Sequence, residues 1–258
     1  MPQSIFITGG ASGIGRATAI LFARRGWRVG LADIDPAGLA ATRALLPPGM
    51  AETYVMDVRD RAGWAGTLDA FTAPAAGKLD VLFNNAGIAT GGPLTATSFD
   101  AIDRTLAINL TGVLNGAKIG HAYLARTPGA CLLNTASASA IYGSAGLATY
   151  SAAKFAVRGL TEALDGEWAR DGIRVRAIVP AFIETPLLDG TVAGGTRTIR
   201  ETVHAAGLER TPVETVAQAA WDAVHGMRVH TYVGRTAHIM ALAARFAPAL
   251  LRKRMRRG

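Results

Sequence analysis

The chain has 258 residues, half of them hydrophobic, which is enough to bury a large core in one α/β domain. Its only cysteine, Cys131, excludes an internal disulfide and fits a reducing compartment. The net charge of +8 hints at a polyanionic partner, but eight Lys or Arg residues after Asp222, with no acid among them, account for all of it. Residues 1–222 therefore balance, and no nucleic-acid recognition motif accompanies the basic end.

The N-terminus runs straight into a strand, with no basic, apolar leader. No stretch reaches the ~18 apolar residues of a membrane span. A cytoplasmic location is expected. Ser4-Ile5-Phe6-Ile7 reads as a buried strand, followed by Thr8-Gly9-Gly10-Ala11-Ser12-Gly13-Ile14-Gly15 and a helix over about Arg16–Arg25. Glycines at such a strand-to-helix turn let backbone approach a phosphate, and a helix N-terminus favours an anion. A second strand, Arg28–Ala32, ends at Asp33, about twenty residues past the loop, where a ribose diol is held in dinucleotide folds. A carboxylate there repels a 2′-phosphate and favours NAD over NADP. Arg16 is the one nearby cation that could reverse this, and a helix cap before Pro36 is the other reading of Asp33.

A helix over about Pro36–Leu46 stops at Pro47-Pro48-Gly49. The third strand, Thr53–Met56, ends at Asp57-Val58, where Asp57 could meet an adenine amino group or cap the helix over about Asp60–Ala75. The fourth strand, Leu79–Phe83, leads to Asn84-Asn85-Ala86-Gly87, small residues and amides suited to a ribose or flat ring, or to a turn. A long helix, Phe99–Arg126, carries Asn109, a poor helix former in an interior position. The fifth strand, Ala130–Asn134, leads to Ser137. A helix over Thr149–Asp171 follows, then a sixth strand, Val175–Val179, and the segment Pro180–Pro186. Residues 187–211 lack a period and are expected to be a mobile cover over a site. A helix over 213–226 and a last strand, His230–Val233, complete the strand-helix alternation, which implies an α/β fold.

Tyr150 and Lys154 stand four residues apart, on one helix face. A neighbouring ammonium favours the phenolate, so the pair can exchange protons nearer neutrality than a free phenol. With Thr8-Gly9-x-x-x-Gly13-x-Gly15, Asn84-Asn85-Ala86-Gly87, Asn109 and Ser137, they form an ordered set that resembles the short-chain dehydrogenase/reductase family over residues 4–234.

The resemblance implies a single-domain, Rossmann-type, doubly wound parallel sheet of about seven strands with helices on both faces. The dinucleotide would cross the carboxyl ends of the strands. Gly9, Ser12, Gly13, Ile14 and Gly15 would hold its pyrophosphate and Asp33 the adenosine ribose. Asp57 and Val58 would hold the adenine, and Asn84, Ala86 and Gly87 the middle of the molecule. Tyr150 and Lys154 would hold the nicotinamide ribose, and Pro180, Ile183 and Thr185 the nicotinamide end. In catalysis Tyr150 exchanges the proton, Lys154 lowers its pKa, Ser137 holds the substrate oxygen and Asn109 positions a relaying water. Ser139 competes with Ser137, which has the family spacing to Tyr150. Ala136, Ala140 and Ala181 stand where the family often has Ser or Gly, and the Ala181 methyl narrows the nicotinamide edge.

The expected activity is hydride transfer between NAD(H) and a small-molecule secondary alcohol or ketone. Alternatives are an NADP-dependent carbonyl reductase, a non-redox enzyme or a non-catalytic nucleotide-binding protein on the same fold. Candidate substrate residues are Ala138, Ser139, Ile141, Gly143, Phe182, Leu187 and Leu188, a mostly apolar set that suits a neutral, hydrophobic molecule unless Arg197 or Arg200 enters the site. His121, His204, His225, His230 and His238 lack ligand-like partners, so no metal is expected. The basic tail, 235–258, has helical periodicity. It could pack on the body or a neighbouring subunit, or touch an anionic membrane surface weakly. The resemblance also suggests a homotetramer or homodimer.

Overall fold

The computed structural model describes residues 2–189, 198–205, 207 and 209–255. Strand and helix alternate: β1 (Ser4–Thr8), α1 (Gly13–Arg24), β2 (Arg28–Asp33), α2 (Pro36–Arg43), β3 (Ala51–Val55), α3 (Arg61–Thr72) and β4 (Val81–Asn84). α4 (Phe99–Leu106) and α5 (Gly112–Leu124) form one rod joined through a π-helical turn, Ala107–Thr111. Then come β5 (Cys131–Thr135), α6 (Ala148–Glu167), β6 (Arg174–Pro180), β7 (Phe182–Ile183), α7 (Ile199–Ala205) and β8 (Arg210–Thr211). α8 (Val213–His225), β9 (His230–Val233), α9 (Arg235–Phe246) and α10 (Pro248–Met255) close the order.

Seven strands pair in parallel in the order β3-β2-β1-β4-β5-β6-β9, and β7 pairs with β8 apart from them. The alternation of side chains along a strand divides the core. In β1, Ile5 and Ile7 point to one face, where they pack with Phe22, Leu39, Val216 and Ala220. Phe6 points to the other, against Trp64, Leu68, Phe71 and Leu124. A third cluster lies at the β6 side, where Val157, Ala177 and Val179 meet Ala237 and Met240 of α9. Each parallel connection needs a helical crossover, so both faces are covered; the central strands β1, β4 and β5 are buried along their length, while the edge strands β3 and β9 are mostly half-buried. The chain turns from one half of the sheet to the other between β1 and β4, which leaves a crevice at their carboxyl ends.

The helix starts settle two readings left open by the sequence. Asp35, not Asp33, caps α2, accepting from Gly38 N at 3.0 Å ahead of Pro36. Asp60, not Asp57, caps α3, accepting from Ala62 N at 2.9 Å. Elsewhere the expected elements shift. The helix expected over Phe99–Arg126 is interrupted at Asn109 by the π-helical turn, a feature often found at functional sites. Within 187–211, where no period was visible, α7 and β8 are formed, and Arg200 ties α7 down by donating to Glu184, to Asp189 Oδ1 at 2.7 Å and to Thr185 O at 3.3 Å. Residues 190–197, with Arg197, lie outside the described residues. The tail is two helices, because Pro248 cannot continue α9.

Phe6 is fully buried and its ring meets those of Tyr54, Trp64 and Phe71 at 5.5–6.2 Å. Phe6→Ala is expected to lower unfolding free energy by about 3–5 kcal/mol, read from denaturant midpoints. A loss below ~1 kcal/mol would show that the Trp64 face of the sheet collapses into the gap.

Candidate functional site

A cleft of about 300 Å³ lies at the β1/β4 crevice. Its walls include Gly9, Ser12, Gly13, Ile14, Asp33, Asp57, Val58, Ala86, Gly87 and Thr185. Gly9 and Gly13 have φ of +69° and +51°, which side chains rarely adopt. A Cβ on Gly13 would stand 3.1 Å from Thr185 Cγ2, so backbone itself forms this wall. Ser12 precedes α1 and makes no capping hydrogen bond, which leaves its hydroxyl and the first-turn N–H groups for an anion. The loop therefore fits the pyrophosphate of a dinucleotide.

Asp33 is held at the end of β2 by the β1–β2 register, Thr8 opposite Ala32. Its Oδ2 accepts from Ala11 N at 3.0 Å and its Oδ1 from Asp35 N at 3.2 Å. The carboxylate is thus fixed at the cleft wall with lone pairs to spare. Arg16 is committed elsewhere: it donates to Ala11 O and, at 2.9 Å, to Thr42 Oγ1. Asp57 is gripped by Arg59, whose guanidinium and backbone N–H both donate to it and hold its carboxyl below the usual range.

Six of the expected cofactor residues, Gly15, Asn84, Tyr150, Lys154, Pro180 and Ile183, stand off the cleft wall. Asn84 is buried and donates to Val113 O at 3.3 Å and Asn134 Oδ1 at 3.1 Å, so it ties β4 to α5 and β5. Asn85 lines the cleft in its place. Gly15 is a packing residue, since a Cβ there would fall 2.0 Å from Gly9 O. Pro180 ends β6 opposite Val233, and Ile183 is buried in the α1–α8 core.

Next to the cleft is a second cavity of about 410 Å³. Ser137, Tyr150, Ala138, Ser139, Ala181, Phe182 and Leu188 line one side of it. Ser137 Oγ accepts from Ser139 N at 3.2 Å and caps the short turn Ala138–Ala140. Burial raises the Tyr150 phenol above its ordinary value, and a hydrogen bond with Ser137 opposes the rise. This favours Ser137 over Ser139 as the serine facing the phenol. Lys154 is buried, donates to Thr135 O at 2.8 Å and stands 5.7 Å from the centre of the Tyr150 ring. Burial lowers its pKa to about 8. The expected lowering of Tyr150 by Lys154 is not met here, because the ammonium is drawn toward Thr135 and desolvation dominates the phenol.

Asn109 is fully buried beside this pair. Its Oδ1 accepts from Ile88 N at 2.8 Å and its Nδ2 donates to Ile88 O at 2.7 Å. The side chain thus pins the backbone after Gly87, and any water relay would have to use the main chain of the π-helical turn. A Cβ on Gly87 would stand 3.2 Å from Asn109 Oδ1 and 3.7 Å from Lys154 Nζ, so these three residues converge.

Of the other substrate candidates, Ile141 is buried in the core beneath α9. Gly143 lies in a separate surface depression with Arg252 and Met255. The side chain of Leu187 lies outside the described residues. Arg200 is consumed by Glu184 and Asp189. His121 pairs with Asp171 at 2.9 Å and packs on Trp168, a carboxylate partner the sequence did not reveal.

The family model for short chain dehydrogenases matches residues 3–195. The 3-oxoacyl-[acyl-carrier-protein] reductase FabG of Thermotoga maritima is 36% identical over 185 residues, 71% of this chain and 75% of that protein. The chain belongs to the short-chain dehydrogenase/reductase family. Levodione reductase of Leifsonia aquatica is 37% identical over 194 residues, 73% of this chain and 72% of its own. The fold superposes on a short chain dehydrogenase/reductase from Burkholderia phymatum in complex with NAD with a TM-score of 0.84, at 27% identity, over 98% of this chain and 95% of that one. The protein is thus an oxidoreductase of this family.

Sequence reasoning missed the other side of the second cavity. Thr236, Ile239, Met240 and Ala243 of α9 and Leu250, Leu251 and Met255 of α10 line it. The spacing 236/239/240/243 is a helical stripe that was visible. Nothing in it named the partner. Also missed were Asn115, which donates to Val58 O at 3.1 Å, and the bonding role of Thr8, whose Oγ1 accepts from Asn85 N at 3.0 Å and Ala86 N at 3.1 Å.

Asn109→Ala leaves the Ile88 N–H and C=O unpaired. The expected cost is about 1–3 kcal/mol for each stranded group, with fast hydrogen exchange at the Ile88 amide. Unchanged protection of that amide would mean that another group holds the loop.

Proposed function

We propose that the protein transfers a hydride between NAD(H) and a neutral, hydrophobic secondary alcohol or ketone. The observation that carries this reading is the position of Tyr150 and Ser137 on the wall of an apolar chamber beside the glycine-loop cleft. The chamber walls described here hold no charged side chain, which suits a neutral substrate. NAD is favoured over NADP because Asp33 presents a carboxylate at the cleft wall while Arg16 is turned onto Ala11 and Thr42.

When bound, the dinucleotide supplies the hydride donor or acceptor. The protein's own groups place the substrate and move the proton. Ser137 Oγ holds the substrate oxygen, and Tyr150 gives it a proton in ketone reduction or takes one in alcohol oxidation. Burial keeps Tyr150 protonated at neutral pH, which suits reduction. Lys154 lies behind it, 5.7 Å from the ring centre and bonded to Thr135 O; it does not lower the phenol's pKa in this arrangement, and its ammonium would hold the nicotinamide ribose when the dinucleotide is bound. Its ammonium persists below about pH 8 and is lost as pH rises through that value.

Tyr150→Phe should therefore lower kcat/KM by about 10²–10⁴-fold while NADH fluorescence titrations stay close to wild type. Equal inertness of wild type and variant across a broad ketone panel would remove the oxidoreductase assignment to this chamber. In wild type, ketone reduction should fall as pH rises above about 8. Lys154→Arg keeps its charge over this range, so its profile, at whatever rate, should lack that inflection. An inflection unmoved by Lys154→Arg would assign the titration to another group.

A further inference from the structure

The charge excess of this chain and a stripe of exposed apolar side chains occur in one place. On α9, Ile239, Leu242 and Phe246 follow the i, i+3, i+7 spacing of a single helix face and are 49%, 61% and 73% exposed. On α10, Leu250 is 67% exposed. Ile239 and Leu250 also line the apolar chamber, so the exposed patch is continuous with its mouth. Large apolar side chains gathered in this way mark an interaction surface rather than the scatter of ordinary exposed residues.

The rim of the patch is basic. Arg245, Arg252 and Lys253 are exposed and, among the described residues, form no ion pair. The sequence adds Arg254, Arg256 and Arg257 and places no acid after Asp222. The carboxylate bonded to this element is Glu209, which accepts from Arg235 N at 3.0 Å, at the far end of α9 from Phe246. A protein partner of mixed charge does not call for such one-sided chemistry. A surface with an apolar interior and a dense layer of negative charge does, and each of its two properties answers one of the two features here. Among the described residues no helix is long and apolar enough to cross a membrane. The element therefore suits lying on a bilayer, not spanning it.

We propose that the α9–α10 face docks on an anionic lipid bilayer and sets the mouth of the chamber against it, so that a hydrophobic substrate passes from lipid to Tyr150 without crossing water. The substrate part of this rests on the hydride-transfer reading above, and the docking does not.

The test is flotation of full-length protein with phosphatidylcholine vesicles, with and without phosphatidylglycerol. Binding should require phosphatidylglycerol and weaken with added salt. Leu242→Ser/Phe246→Ser and, separately, Arg245→Glu/Arg252→Glu/Lys253→Glu should each weaken partitioning at least about ten-fold. None of these residues lines the chamber, so turnover of a water-soluble ketone should stay unchanged. The proposal is overturned if wild type ignores the anionic vesicles or if the variants partition as wild type does. It is equally overturned if wild type stays off vesicles and Leu242→Ser/Phe246→Ser lowers the oligomer mass by light scattering, which assigns the patch to a second copy. Partitioning without turnover of any ketone would strike the activity and leave the docking standing.

Discussion

The site depends on a hydrogen-bonded clasp across the carboxyl ends of β1, β4 and β5. Asn85 donates through Nδ2 to Thr8 O at 3.0 Å, and its Oδ1 accepts from Thr135 Oγ1 at 3.2 Å. Thr8 Oγ1 returns the bond by accepting from the backbone of Asn85 and Ala86. Thr135 O then accepts from Lys154. One amide thus connects the turn that opens the dinucleotide cleft to the lysine behind Tyr150. The strands diverge at this crevice, so their last backbone groups have no ladder partners, and buried groups of that kind must be satisfied by side chains. The polar residues at these strand ends are needed for the fold before they are available for chemistry.

A second buried ladder lies one layer deeper and sets the helix that carries the phenol. Asn84 bonds Asn134 at 3.1 Å, Asn134 bonds Thr161 at 3.0 Å, and Thr161 belongs to α6. Polar links in a low-dielectric interior are costly to leave unmade, so they fix α6 in one rotation against the sheet. That rotation decides which way Tyr150 and Lys154 face. Tyr150 reaches the chamber, whereas Lys154 is drawn under Gly87 to Thr135. The same burial that positions the pair moves both of its pKa values away from the charged forms. Orientation and proton affinity therefore have one cause.

Much of the fold was legible because the patterns are local. Alternation in Ser4–Ile7, the glycine loop and the i, i+4 pair Tyr150/Lys154 each carry their meaning within a few residues. What was illegible depends on groups far apart in the chain. Asn84 and Asn85 are adjacent amides, and only the packing of Gly116 against Asn84 and of Thr8 against Asn85 sends one into the core and the other to the cleft. A Cβ on Gly116 would come within 2.2 Å of Asn84 Oδ1, a contact no window of sequence displays. The interruption at Asn109 is of the same kind. Its amide is satisfied by Ile88, twenty-one residues earlier, so its poor helix propensity could be seen and its reason could not.

The chamber extends this logic to substrate choice. One side is built from the turn after β5, the start of α6 and the segment after β6, and carries the reacting groups. The other is built from α9 and α10, more than eighty residues beyond Tyr150 in the chain. α9 meets the body through Ala237, Met240, Ala241 and Ala244, in the cluster that also holds Ala138 and Ile141, while Ile239 and Ala243 line the chamber. Changes at Ile239, Ala243 or Leu251 reshape the cavity without touching Ser137, Tyr150 or Lys154. On the proposed reading of the chamber, substrate preference is written largely in the tail and reaction chemistry in the motifs, so motifs that identify the family firmly say little about the molecule it acts on.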